Sequence, residues 1–90
     1  MKAYEILRTD SPMPTALRIG RFRFFFFSNE GEEPPHIHVK AGEHEAKLWL
    51  HPVEVEVNYG FNGRELNEIR KLVEENQDIL SEAWNEHFPG

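Results

Sequence analysis

His36 and His38 stand two residues apart in Pro34-Pro35-His36-Ile37-His38-Val39, behind two prolines and alternating with β-branched residues. Alternation with period two belongs to a strand, in which every second side chain points to the same face. The segment therefore reads as a strand entering a sheet with both imidazoles on one side. Imidazole changes charge near neutral pH and serves proton transfer, metal coordination and anion contact alike. Lys40 takes the next position on that face. His36, His38 and Lys40 are thus the candidate catalytic residues.

Three chemistries are open to them. Two histidines can give two ligands to zinc, and a catalytic site needs a third; His44, His51 and Glu45 are the available donors. Lys40 and Lys47 on the same face oppose a dication, so neither a metal nor another cofactor is expected. His36 and His38 could instead be the acid and base of a metal-independent, RNA-acting enzyme, with Lys40 or Arg23 stabilising the phosphate. A binding role uses the same surface without chemistry. Elsewhere, His44 reads as a solvated turn residue and His51 as part of a bend before Pro52. His87 lies near a helix C-terminus, where the dipole favours a protonated ring.

The elements that must position these residues follow from periodicity. Residues 17–28 read as a first strand with Phe22, Phe24 and Phe26 on one face and Arg21, Arg23, Phe25 and Phe27 on the other. Asn29 to Pro35 is a turn-rich loop. His36 to Ala41 and Glu45 to Leu50 form two strands joined around Gly42. Pairing Lys40 with Glu45 sets His38 opposite Lys47, His36 opposite Trp49 and Ile37 opposite Leu48, and every face stays consistent. Val53, Val55 and Val57 alternate with acids in a fourth strand. Asn62 and Glu65 have the spacing of a capping box, and one long helix follows to about Phe88 with Leu66, Ile69, Leu72, Val73, Ile79, Leu80, Ala83 and Trp84 as its apolar stripe. At 1.5 Å per residue it would outreach the strands by about 17 Å, leaving Trp84 and Phe88 to overhang; Asn76 interrupts the stripe.

The fold class expected is α+β: two layers, an antiparallel sheet of three or four strands packed by one long C-terminal helix. Residues 1–12 read as an N-terminal arm and residues 13–90 as a single domain. The helix covers the Phe22 face and the valines. The opposite face carries Arg21, Arg23, Phe25, Phe27, His36, His38, Lys40, Lys47 and Trp49, and these nine are the candidate binding face. Two phenylalanines and a tryptophan left in water as one patch call for a covering partner, a second copy of the chain included.

Composition narrows the choice. The chain has 90 residues, no cysteine and a formal net charge of −6. Disulfides, thiolate zinc and a cysteine nucleophile are excluded, and the acidity argues against a general nucleic-acid binder. Residues 13–28 nevertheless hold Arg18, Arg21 and Arg23 without an acid, whereas residues 64–88 hold three cations against seven acids. A local basic surface, able to contact RNA, is compatible with that split. No apolar run is long enough for a membrane span and the N-terminus lacks a signal-peptide core, so a cytoplasmic location is expected.

Several motifs occur together: Met13-Pro14-Thr15, Arg18-Ile19-Gly20, Phe24 to Glu30, Pro34 to Val39, Glu45 to Leu50, Gly60-Phe61 and Glu82 to Glu86. In this order they resemble the small bacterial proteins of the domain of unknown function 4160 family, over about residues 13–88. The resemblance implies no established activity. It implies a small protein partner of the domain of unknown function 2442 type, encoded alongside, in a toxin–antitoxin-like pair. His36-Ile37-His38-Val39-Lys40 also looks like two-thirds of the histidine-triad motif of nucleotide hydrolases, with Lys40 in place of the third histidine, which adds nucleotide binding to the alternatives.

Overall fold

The computed structural model describes residues 15–27 and 29–88; the expected arm and the outer ends of the expected domain lie outside the described residues. Strands β1 (Thr15–Ile19), β2 (Phe22–Phe25), β3 (His36–Ala41), β4 (His44–Leu50) and β5 (Val53–Tyr59) precede helices α1 (Gly63–Glu75) and α2 (Gln77–His87). The strands form one antiparallel sheet in sequential order. The α+β class and the two layers are as expected. The strand count is five because residues 17–28 are not one strand. Gly20 adopts a positive φ of 59° and, with Arg21, closes a hairpin that pairs Ile19 with Phe22. Tight hairpin turns need such a conformation, which glycine adopts without strain.

The pairing of β3 with β4 follows the expected register throughout, from His36 opposite Trp49 to Lys40 opposite Glu45. Between β4 and β5 the register slips, so that Lys47 faces Val57 while Leu48 faces Val55. A bulge of this kind moves all later side chains to the other face. Val57 therefore lines the open face beside His38 and Tyr59, and not the helix face with the other valines.

The core lies between sheet and helices: Phe22, Phe24, Phe26, Ile37, Val39, Ala46, Leu48 and Leu50 meet Ile69, Val73, Leu80, Ala83 and Trp84. The capping box at the start of α1 is complete, with Glu65 N–H donating to Asn62 Oδ1 at 2.8 Å and Asn62 N–H donating to Glu65 Oε1 at 2.9 Å. In place of one long helix there are two, divided at Asn76 (φ −115°, ψ 20°). Asn76 Nδ2 donates to the Leu72 carbonyl at 2.8 Å, a local bond that competes with the regular ladder. The break directs α1 along β5 and α2 toward β1 and β4. Trp84 is consequently buried rather than overhanging, Phe88 packs on the core, and Ile79 is turned outward to 37% exposure. No helix among the described residues is long and apolar enough to cross a membrane.

Candidate functional site

The sheet face away from the helices carries two adjoining features. The first is a cross-strand row. Arg18 on β1 is directly opposite Arg23 on β2, Arg23 is opposite Lys40 on β3, Lys40 is opposite Glu45 on β4, and Glu45 is opposite Tyr59 on β5. Three like charges on three neighbouring strands disfavour the pairing that holds them. Together with Arg21, Ala41 and Gly42 they line an open depression of about 220 Å³. The Arg23 guanidinium lies 4.7 Å from the Phe25 ring centre, and its Nε and Nη2 are buried without a hydrogen-bond partner. Arg18, Arg23 and Lys40 form no ion pair among the described residues.

The second feature lies one pleat repeat away, about 7 Å along the strands. His36 and His38 share a face, as their spacing requires, but they are not open to solvent: His36 is 0% and His38 7% exposed. The loop after β2 folds back over them and aims Glu30 at both rings. His38 Nε2 donates to Glu30 Oε2 at 2.9 Å and to Oε1 at 3.0 Å. Phe27 N–H also donates to Oε1, at 3.2 Å. Oε1 stands 2.9 Å from His36 Nε2 but off the line of a hydrogen bond, so Nε2 is left unpartnered. Burial pushes the Glu30 carboxyl up, yet the positive charge that the facing imidazoles of His36 and His38 can carry outweighs it and holds the group below its usual range. His36 Nδ1 donates to the Pro34 carbonyl at 2.9 Å. Phe25 stacks on His38 at 5.4 Å, Phe27 meets it edge-on at 4.6 Å, and Trp84 covers His36 at 4.8 Å.

The nine expected face residues divide accordingly. Arg23, Lys40, Lys47 and Trp49 lie on the open face. Phe25 and Phe27 are on its side of the sheet but are no free anchors: Phe25 is only 1% exposed and Phe27 half-buried, because the imidazoles and Arg23 pack on them. Arg21 is not a strand residue; it sits in the β1–β2 turn, and its guanidinium donates to Glu65 Oε2 of α1 at 3.0 Å. Lys47 bridges Glu33 Oε1 at 2.6 Å and Glu56 Oε1 at 3.1 Å, with its ammonium 4.8 Å from the Trp49 ring centre. Burial pulls its pKa down, but the two carboxylates prevail and raise it. His51 is tied to α2 through Ser81 at 2.9 Å and Gln77 at 3.3 Å.

Glu30, Arg18 and Tyr59 were missed as site residues. Glu30 lies six positions before His36 in a loop, where no periodicity predicts what a side chain reaches. Arg18 follows once Gly20-Arg21 is read as a turn, and Tyr59 follows only from the bulge.

Fold and face together define a small two-layer α+β domain with one sheet face left uncovered by the helices. Residues 22–85 match the family described as Domain of unknown function (DUF4160), and the chain belongs to that family. No curated protein and no solved structure matches it.

Proposed function

We propose that this chain is an interaction module, one half of a toxin–antitoxin-like pair, which holds a small partner protein by an acidic segment laid along Arg18, Arg23 and Lys40. The observation that carries this reading is the row itself, in which Arg23 stands directly opposite Arg18 on one side and Lys40 on the other, with no ion pair to any of the three among the described residues. Like charges at opposed strand positions are costly. Carboxylates from a partner supply counter-charge at the exposed Arg18 and Lys40, and guanidinium–carboxylate pairs are among the strongest polar contacts. Tyr59, 68% exposed at the far end of the same row, and half-buried Trp49 give aromatic anchors at the rim, a role in which such residues are enriched.

A protein fits better than RNA. The net charge is −6, and Glu45, Glu54 and Glu56 share the face, which leaves little for counterion release. Phe25 is too buried to stack a base. An enzyme using His36 and His38 as acid and base has less support still, since such groups must reach the substrate and both rings are turned onto Glu30.

The test is co-expression of the tagged chain with the small protein encoded beside it, following growth and co-purification together. The expected result is a stable heteromeric complex that the exposed double variant Arg18→Glu/Lys40→Glu abolishes while its circular dichroism is unchanged. Absence of a complex, a complex indifferent to the double variant, or recovery of bound RNA or of a homodimer alone would refute the proposal.

A further inference from the structure

The loop after β2 brings Glu30 onto His36 and His38, and we infer that these three residues bind a divalent transition-metal ion of the zinc class. Their donor atoms lie within 4.8 Å of one another, the one such group among the described residues. Two imidazoles and a carboxylate suit zinc and its neighbours and leave a position for water. The inference is independent of the partner proposal, which uses the neighbouring row.

The hydrogen-bond roles point to a cation. His36 Nδ1 lies 2.9 Å from the Pro34 carbonyl, which can only accept, so the ring proton is on Nδ1. In the neutral ring Nε2 then offers a lone pair. That lone pair stands 2.9 Å from a carboxylate oxygen, acceptor against acceptor, on a side chain with no exposure at all. A proton on Nε2 does not repair the contact, because Oε1 lies off its line and the nitrogen still has no hydrogen bond. A cation placed between lone pair and carboxylate satisfies both.

His38 presents the same ring nitrogen with a proton on it. Its Nε2 faces the same carboxylate, and its Nδ1 stands 3.7 Å from Glu45 Oε2. A backbone carbonyl behind one ring and a carboxylate behind the other are the supports that fix metal-binding imidazoles. Metal–donor bonds of about 2.0–2.2 Å at tetrahedral angles separate neighbouring donors by about 3.3–3.5 Å. Glu30 stands 2.9 Å from each imidazole and the group spans up to 4.8 Å, so the ion is admitted when Glu30 moves outward by a few tenths of an ångström and the two rings draw together. Of the two charges that argued against a metal, Lys47 is held between Glu33 and Glu56, and exposed Lys40 stands a pleat repeat, about 7 Å, along the strand from His38. Binding displaces the proton that His38 Nε2 now donates to Glu30 and fastens the loop to the sheet.

The experiment uses the whole chain, stripped with a chelator and dialysed. It is titrated with zinc chloride by calorimetry and with cobalt(II) chloride by visible absorption. One equivalent is expected to bind, with the intense bands of low-symmetry cobalt and a raised melting temperature. Glu30→Gln keeps the shape of the side chain and is expected to weaken binding roughly tenfold or more. His51→Ala, at a histidine outside the cluster, is expected to leave the metal affinity unchanged. His36→Ala removes a fully buried ring and risks the fold, so Glu30→Gln decides. No saturable binding of either ion below millimolar concentration, or equal affinity in Glu30→Gln, would overturn the inference.

Discussion

Arg18 shows how a residue can work against the fold that carries it. It is exposed and directly opposite Arg23, and opposed like charges destabilise a strand pair. Arg18→Thr should therefore raise folding stability by about 0.2–1 kcal/mol, more at low salt than at high salt, while weakening partner binding. Urea denaturation at two ionic strengths checks the first part. His87 makes the opposite case. Its place near the helix C-terminus suggests a favoured protonated ring, but burial against Phe26 and Phe88 lowers its pKa. The folded-state pKa thus lies below the unfolded value of about 6.5. Between the two the unfolded chain binds more protons, so stability present above about pH 6.5 is lost as pH falls through the folded pKa. His87→Phe keeps an aromatic ring beside Phe26 and should flatten the fall in stability between about pH 7.5 and 5.5, measured as denaturation midpoints of the two proteins.

At the scale of elements, the loop between β2 and β3 positions the cluster, and it is itself held from the helix layer. A Cβ on Gly31 would come within 2.7 Å of Phe88 Cδ1, so the loop and the end of α2 fit without spare room. Gly31→Ala should cost about 1–3 kcal/mol by overpacking, read as a lowered melting temperature, and should loosen the contact of Glu30 with the imidazoles. The β3–β4 hairpin was legible in the sequence because one register alone reconciles its apolar alternation, its charge pair and the turn at Gly42. The capping box was legible because its two hydrogen bonds are local. The β1–β2 hairpin was not, since the phenylalanines alternate without a gap and Gly20 with Arg21 is an unusual turn pair. The break at Asn76 and the bulge beside Val57 were equally hidden: a one-residue slip leaves composition and spacing nearly unchanged while reversing a face. Of the site, the shared face of His36, His38 and Lys40 was readable, whereas the long-range approach of Glu30 was not.

The whole molecule has one sheet face sealed by α1 and α2 and another that bears the basic row and, beside it, the loop-covered histidines. Buried Phe25 removes the aromatic patch that the alternation suggested, and a working surface there rests on charge: Arg18, Arg23 and Lys40, without an ion pair among the described residues, at the β1–β2–β3 end of an acidic chain. Electrostatic contacts of this kind weaken with salt, so the affinity for the proposed partner should fall as sodium chloride is raised, whereas an aromatic interface would hold. Amide hydrogen exchange of the chain alone and with the proposed small partner protein tests the central claim most directly. The account predicts new protection confined to β1, β2 and β3 around Arg18, Arg23 and Lys40, with the outer faces of α1 and α2 unchanged; protection on the helices with the basic row unaltered would contradict it.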